Sequence, residues 1–220
     1  MCLLNRKLVR IMVLFGVLPL VGFVLLTYCV VQGITASFDK RIMSSIRSAE
    51  HPIVTKGMVG LSFIGNTWPV VIISLLLLLV IYKLYRKRDE VILFMVVSLG
   101  SIGLNLLLKY IFKRERPSID PLIIETGYSY PSGHSMAALT LYGAITFLIW
   151  RHIPTSIGRA CLVVVSTVMI IAMGASRVYL GVHYPSDVVG AYLVSGTWLF
   201  VTIWVYQFRK DRQTSFKMKA

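Results

Sequence analysis

The strongest constraint in this sequence is a series of six long apolar segments. They cover approximately residues 11–31, 60–82, 91–112, 133–150, 160–180 and 188–208. Because about 20 apolar residues in a helix cross the hydrocarbon core of a bilayer, each segment can span it with modest tilt. A β-barrel would need short alternating strands, whereas Ser74 to Tyr82 is almost unbroken Leu, Val and Ile. The sequence therefore predicts an all-α, polytopic membrane protein with six transmembrane helices in one bundle.

Composition supports a membrane protein and limits its partners. The 220 residues are 56% hydrophobic and only 15% charged, which leaves little chain for a soluble domain, so one membrane domain is expected over residues 1–220. The net charge of +14 is compatible with nucleic acid, anionic membrane lipids or an anionic substrate. The distribution of the basic residues between apolar segments excludes nucleic acid, and the oligomeric state stays open.

The basic residues are divided unequally between the two sides of the predicted bundle. With the N-terminus inside, most of the 23 Lys and Arg residues are cytoplasmic: Arg6, Lys7, Arg10, Lys83, Arg86, Lys87, Arg88, Arg151, Arg159, Arg209, Lys210, Arg212, Lys217 and Lys219. Since cytoplasmic loops are enriched in Lys and Arg, both termini are predicted to be cytoplasmic. The outer loops are then about 32–59, with room for a short interfacial helix, and 113–132.

Five basic residues depart from this distribution at the outer ends of the third and fifth segments. They are Lys109, Lys113, Arg114, Arg116 and Arg177. Any one of them alone is explained by extension of a long basic side chain towards lipid headgroups. Together they indicate an anion-binding site on the outer side.

Three polar motifs interrupt the apolar background on this same side. They are Lys109, six residues and Arg116-Pro117; Pro131-Ser132-Gly133-His134; and Ser176-Arg177, five residues, His183, three residues and Asp187. A phosphate ester needs its oxygens neutralised in the transition state, and two arginines with one lysine can do this without a metal. Two histidines suit a displacement in which one attacks phosphorus and the other protonates the leaving oxygen.

The second motif also predicts a phosphate site at a helix start. Pro131 suits the first helical position, which would leave the amides of Ser132, Gly133 and His134 beside the positive end of the helix dipole. Gly133 allows close approach, and the Ser132 hydroxyl can donate a further hydrogen bond. An ordinary helix cap explains the same residues. Near the third motif, Pro185 predicts a helix start with Asp187 in its first turn, within reach of His183.

In this order and at these spacings, the three motifs resemble the type-2 phosphatidic acid phosphatase superfamily, over residues 109–187 directly. The superfamily includes lipid phosphate phosphatases, bacterial phosphatidylglycerophosphatase B and undecaprenyl pyrophosphate phosphatases. The resemblance implies hydrolysis of a lipid phosphomonoester or pyrophosphate at the outer face, through a phosphohistidine and with no cofactor or metal. Phosphatidylglycerophosphate, undecaprenyl pyrophosphate and phosphatidate all stay open as substrates, and the short loops favour a bacterial member.

The resemblance also assigns roles to individual residues. His183 would be the nucleophile, Asp187 would orient it and His134 would be the general acid. The phosphate-binding residues would be Lys109, Arg116, Ser132, Gly133 and Arg177.

Two other functions use the same residues, and three lesser expectations concern their surroundings. A lipid-linked phosphotransferase would pass the phosphoryl group to another acceptor, and a membrane protein without catalytic activity would only bind anionic headgroups. Asp120 and Glu125 are interpreted as solvated loop residues, since two carboxylates make a weak metal site. Tyr128 and Tyr130 are expected at the mouth of the site. Close helix contacts are expected at Gly100, Gly103 and Gly174.

Overall fold

The chain is helical throughout most of the part that its structure, a computed structural model, describes: residues 11–85, 88–118 and 121–217. A π-helical turn at Val13–Val17 leads into the first α-helix. The α-helices in these residues are α1 (Leu18–Val31), α2 (Ala36–Ser48), α3 (Pro52–Ile64), α4 (Thr67–Tyr85), α5 (Arg88–Phe112), α6 (Gly133–Trp150), α7 (Ser156–Tyr179) and α8 (Pro185–Lys217).

Five segments of the described residues are long and apolar enough to cross a membrane. They are Val13–Val31, Arg88–Phe112, Gly133–Trp150, Ser156–Tyr179 and Pro185–Arg212. Helices α3 and α4 meet the same criteria together, but they are bent by 57° at the break between them. The all-α membrane fold is therefore confirmed, with five candidate spans, or six if the bent pair is one span.

The prediction of one continuous helix over residues 60–82 is wrong at its start. Helix α3 ends at Ile64 and α4 begins at Thr67, with Gly65 and Asn66 between them. Gly and Asn favour helix C-termini, and Pro69 in the first turn of α4 suits a new start. The break directs Asn66 towards the polar end of the bundle, where its side chain contacts His134.

The segment 32–59 is more ordered than a loop. It contains α2, which is the short helix expected there, and the whole of α3 up to the bend. Within α2 the side chains of Asp39 and Met43 are buried, whereas Lys40 and Arg41 are exposed. This helix therefore packs one face against the ends of α7 and α8. Its sidedness, like that of the termini, stays a prediction; Arg6, Lys7, Arg10, Arg86, Lys87 and Lys219 lie outside the described residues.

Helices α6 and α8 occupy the centre of the bundle. Near one end of α6, Leu141 and Leu148 pack against Leu93 and Phe94 of α5. Two of the expected close glycine contacts are confirmed, because Gly100 lies against Trp198 and Gly174 against Tyr192. The third is wrong: Gly103 faces out of the bundle, with no atom within 4 Å of a Cβ placed there.

Tyr130 is a core residue and does not form the mouth of the site. It is 0% exposed and lies between the rings of Phe23 and Phe112, with its hydroxyl 2.7 Å from Oγ1 of Thr27. Burial raises the pKa of Tyr130 to about 12. Tyr128 is exposed, and its place at the mouth of the site stays a prediction. The buried ring fixes the chain directly before the second motif.

Gly190 of α8 makes room for this buried ring, and its replacement should destabilise the protein. A Cβ at Gly190 would lie 2.5 Å from the Tyr130 hydroxyl oxygen and 2.7 Å from the ring. We expect Gly190→Ala to lower the free energy of unfolding by about 1–3 kcal/mol through overpacking. Thermal unfolding in detergent measures this. Gly103→Ala is the control, because its new methyl group meets nothing, and equal losses in the two variants would contradict the explanation.

Candidate active site

The three sequence motifs converge at one end of the bundle. Arg116 follows α5 in a segment without helix or strand, and its Nη1 lies 3.4 Å from Nε2 of His183, which lies two residues before α8. Arg177, in the last turn of α7, shares the carboxylate of Glu125 with Arg116. Lys109 and His134 line one cavity together with Arg116. All the charged residues predicted for the site are therefore neighbours.

The carboxylate of Asp187 contacts Nδ1 of His183. Helix α8 begins at Pro185, as predicted, which places Asp187 in its first turn. Its Oδ2 lies 3.3 Å from Nδ1 of His183 and accepts hydrogen bonds from the Tyr184 amide at 2.8 Å and from the Ser129 hydroxyl. With Nδ1 turned to a carboxylate, the imidazole has Nε2 left for chemistry. The predicted proximity is confirmed, whereas the roles of nucleophile and orienting group stay predictions.

The environment of His183 favours its neutral form. The side chain is 1% exposed, and burial lowers the pKa of His183 to about 4, although the hydrogen bond and charge of Asp187 act in the opposite direction. The charges of Arg116 and Arg177 lower the pKa further. A neutral imidazole with Nδ1–H donated to Asp187 carries its lone pair on Nε2. That nitrogen faces the guanidinium of Arg116 and is available to attack an electrophile.

Glu125 pairs with two arginines, so its interpretation as a solvated residue is wrong. Its Oε1 accepts a hydrogen bond from Nη2 of Arg177, and its Oε2 lies 3.4 Å from Nη2 of Arg116. Burial raises the pKa of Glu125, but the charge and hydrogen bond of Arg177, with smaller effects of His134 and Arg116, outweigh it and leave the pKa lowered. Two arginines in a partly dry site need a counter-charge. Asp120 lies outside the described residues.

Arg177 is completely enclosed. It is 0% exposed, and its Nη1 donates to the hydroxyl of Ser62 while Nη2 donates to Glu125. Its Nε has no acceptor among the residues that the structure describes. A buried guanidinium with one unused donor can still bind an oxygen of a ligand.

The second motif begins its helix two residues later than predicted. Gly133 is the first residue of α6 and Ser132 is the N-cap, so Pro131 precedes the helix, joined to Tyr130 by a cis peptide bond. Had Pro131 been the first helical residue, the cap would have been Tyr130, a poor capping residue compared with serine. The Ser132 amide is also not free, because it donates to the carbonyl of Asp187 at 3.2 Å. The amides of Gly133 and His134 stay candidates, since first-turn amides have no intrahelical acceptor.

His134 contacts a residue that the motifs did not indicate. Its Nε2 lies 3.0 Å from Oδ1 of Asn66, in the break between α3 and α4. A Cβ added at the neighbouring Gly65 would lie 2.7 Å from Cδ2 of His134, so the break packs directly against the imidazole. On α5, Asn105 donates to the carbonyl of Pro131 at 3.0 Å and supports the start of α6. Isolated Asn residues in apolar segments were the only sequence signal for these two positions.

A cavity of about 970 Å³ connects the site to the apolar surface of the bundle. Lys109, Arg116, Glu125, Gly133 and His134 line its polar part. Its apolar part is lined by residues of α4, α5 and α6, including Val70, Val71, Ile73, Ile102, Leu106 and Ala137. The lining suits a molecule with an anionic head and an apolar chain. No group of three His, Cys, Asp or Glu side chains that could hold a metal ion occurs in residues 11–85, 88–118 and 121–217.

Comparison with known sequences identifies the family. The PAP2 superfamily matches residues 90–211. Phosphatidylglycerophosphatase B of Bacillus subtilis is 31% identical over 176 residues, which are 77% of this chain and 84% of that protein. Undecaprenyl-diphosphatase of Sulfolobus acidocaldarius is 34% identical over 152 residues, which are 64% of this chain and 65% of that protein.

Solved structures agree with the sequence matches. A crystal structure of a transmembrane PAP2 type phosphatidylglycerolphosphate phosphatase from Bacillus subtilis superposes with a TM-score of 0.82 at 26% identity, covering 87% of this chain and 95% of that chain. Aquifex aeolicus LpxE shares the fold, with a TM-score of 0.58 at 22% identity over 74% of this chain and 93% of that chain. Since the family match covers more than half of the sequence, the chain belongs to the PAP2 superfamily and is a multi-pass membrane enzyme of the lipid phosphatase class.

Proposed function

We propose that this enzyme hydrolyses a lipid phosphomonoester or pyrophosphate through a phosphohistidine on His183, without a metal, at the outer face of the membrane. The observation that carries the proposal is the geometry of His183. Its Nδ1 faces Asp187 at 3.3 Å, and its Nε2 faces Arg116 at 3.4 Å. This is the arrangement needed for a neutral nitrogen nucleophile beside a phosphate-binding cation.

The first chemical step forms a bond between Nε2 of His183 and phosphorus and breaks the bond from phosphorus to the leaving oxygen. Arg116, Arg177 and Lys109 stabilise the negative charge on the other phosphate oxygens. His134 gives its proton to the leaving oxygen of an alcohol or of a lipid monophosphate. Asp187 stabilises the positive charge that develops on the His183 imidazole.

The second step returns the enzyme to its starting state. Water attacks phosphorus of the phosphohistidine while His134, now neutral, accepts a proton from that water. The bond between Nε2 and phosphorus breaks, and inorganic phosphate leaves. Glu125 competes with both phosphate species for Arg116 and Arg177, because its carboxylate occupies the guanidinium donors that phosphate oxygens need.

The shape of the cavity supports a lipid substrate whose chain stays in the bilayer. The polar end contains Lys109, Arg116 and His134, and the apolar end lies between α4, α5 and α6. The relatives named phosphatidylglycerophosphatase B and undecaprenyl-diphosphatase make phosphatidylglycerophosphate and undecaprenyl pyrophosphate the first substrates to test, with phosphatidate as a third. Placement of the site on the outer face rests on the unequal distribution of Lys and Arg.

The test is release of inorganic phosphate by the purified protein from these three lipids in detergent. We expect activity on at least one of them, and treatment with EDTA should change kcat/KM by less than about twofold because Arg and Lys supply the positive charge that a metal would provide. Loss of activity in EDTA that Mg²⁺ restores would contradict the metal-free mechanism. Labelled phosphate that passes to an acceptor lipid, with little released as free phosphate, would instead indicate a phosphotransferase.

The pH dependence of kcat/KM should reflect the low pKa of His183. Only the neutral imidazole is nucleophilic, and its pKa of about 4 means that protonation begins well below neutrality. We expect kcat/KM to be retained as the pH falls and to decline tenfold per pH unit only near pH 4. Since the unfolded chain binds this proton at about pH 6.5 and the folded protein only near pH 4, stability should fall as the pH drops from about 6.5 to about 4. An acid limb near about 6.5, the ordinary value for histidine, would contradict the assignment.

A further inference from the structure

Arg114 was grouped with the anion-binding residues by sequence, but its contacts are of a different kind. Its Nη1 donates to Oδ1 of Asp187 at 2.6 Å and to the hydroxyl of Ser186 at 2.8 Å. Its Nη2 donates to Oδ2 of Asp39 at 2.8 Å. Both ends of the guanidinium fork are therefore bound to protein carboxylates, and Arg114 neither extends towards lipid headgroups nor faces the phosphate-binding cavity.

Arg114 and Arg116 are two residues apart but contact different members of the His183–Asp187 pair. Lys113, at the end of α5, has a φ of 46°, and residues 113–118 continue without helix or strand. Arg114 and Arg116 are both half-buried, whereas Glu115 between them is exposed. Arg116 reaches the Nε2 side of His183, whereas Arg114 reaches the carboxylate that contacts Nδ1.

Asp39 fixes Arg114 from the opposite side. It is 0% exposed, although it belongs to the otherwise polar helix α2. Its Oδ1 accepts from the amide of Ser186 at 3.0 Å, and its Oδ2 accepts from the Ser186 hydroxyl at 2.6 Å in addition to Arg114. The Arg114 guanidinium also lies 4.1 Å over the ring of Tyr184. These contacts leave the guanidinium a single orientation.

We propose that Arg114, anchored by Asp39, is a positioning residue that fixes the carboxylate of Asp187 and, through it, the imidazole of His183. Without Arg114, Oδ1 of Asp187 would lose its donor, because His183, Tyr184 and Ser129 all contact Oδ2. With Arg114 on Oδ1, the carboxylate presents Oδ2 to Nδ1 of His183. Helix α2 thereby contributes to catalysis without touching the substrate, and the inference rests on the proposed role of His183.

The charges around this network determine how its removal should affect pH dependence. The charged groups that act on His183 are Asp187, Arg116 and Arg177. The groups that face Arg114 are Asp39 of α2, Asp187 of α8 and the phenol of Tyr184. Loss of the positive charge at Arg114 makes protonation of His183 and of Asp187 easier. Loss of the negative charge at Asp39 makes protonation of His183 and of Asp187 harder, because Asp39 then no longer offsets the positive charge of Arg114.

The experiment compares Arg114→Gln and Asp39→Asn with the wild-type protein, using dioctanoyl phosphatidate and farnesyl pyrophosphate as substrates in detergent. We expect Arg114→Gln to lower kcat by about 10–100-fold, because the imidazole is misplaced, with KM within about twofold of the wild-type value. The acid limb of its pH profile of kcat/KM should move to higher pH by about half a unit or more. In Asp39→Asn, kcat should fall less, and the acid limb should stay in place or move down. Arg41→Gln, an exposed arginine of the same helix, is the control and should match the wild type.

Arg114→Lys tests the same idea if Arg114→Gln does not fold, since it leaves a positive charge between the two carboxylates. One ammonium group cannot reproduce the fork, so kcat should fall while the acid limb stays near the wild-type position. If the wild type is active, two results would overturn this inference without affecting the proposed function. One is a shift of the acid limb in the same direction in Arg114→Gln and Asp39→Asn, and the other is an unchanged kcat in these variants. A wild-type protein with no phosphatase activity would overturn the proposed function and this inference with it.

Discussion

Replacing His183 with alanine is expected to lower kcat/KM for phosphate release by about 10⁴-fold or more, because the variant has no group to accept the phosphoryl group. The surrounding site should survive. Asp187 keeps Arg114 at 2.6 Å and the Tyr184 amide at 2.8 Å without the imidazole. Steady-state kinetics on the lipid panel measures the loss, and thermal unfolding in detergent checks that the fold is retained.

The intermediate and a matched variant make the assignment of His183 specific. When the wild type is mixed with labelled substrate and quenched rapidly without acid, labelled phosphate should stay bound to the protein. This bond should be stable to base and labile to acid, as expected for a phosphohistidine. The label should be absent from His183→Ala. His152→Ala, in the turn between α6 and α7, should label and turn over like the wild type. Retained turnover in His183→Ala, or label that persists on this variant, would mean that another residue is the nucleophile.

Replacing Arg177 with lysine is expected to give the second largest loss, about 10²–10³-fold in kcat/KM. The buried guanidinium binds Ser62 and Glu125 through different nitrogens, and its Nε has no acceptor in the described part of the chain. A lysine ammonium keeps the charge but cannot donate in three fixed directions, so the phosphate oxygens lose aligned donors in the transition state. The retained charge opposite Glu125 should keep the fold intact.

Arg159→Lys provides the matched control for Arg177→Lys. Arg159 lies near the other end of the same helix, where its Nε donates to the carbonyl of Ile153 at 2.9 Å and its guanidinium covers the ring of Trp150. This change should leave kcat/KM within about twofold of the wild-type value, since a neutral carbonyl contact far from the substrate contributes little to the transition state. Equal losses in the two variants would mean that Arg177 acts only through stability.

The residues of the three motifs could be predicted from sequence because their chemistry and spacing are local. Pro185 begins a helix by its fixed φ, which puts Asp187 one turn after His183, and the structure has this contact at 3.3 Å. Helix α6 begins two residues later than predicted, because Ser132 caps the helix and Pro131 therefore precedes it.

Glu125 and Arg114 show where sequence reasoning stops. Nothing in the sequence around Glu125 indicates its pairing with Arg177, which is 52 residues away. Arg114 looked like Arg116 because both are basic residues two positions apart, yet their guanidinium groups bind different carboxylates. Charge pairing across such sequence distances depends on which helix ends meet, and periodicity within a helix carries no information about that.

The sequence by itself determined that this chain is a helical membrane protein and which polar motifs form its candidate site. Runs of apolar residues can be stable in a bilayer only if their backbone hydrogen bonds are made within each segment, so the helices follow from local composition. Only the tertiary structure decided the bend between α3 and α4, the burial of Tyr130, and the anchoring of Asp187 through Arg114 to Asp39. These features depend on buried polar groups finding partners from distant segments, and packing alone determines which groups meet.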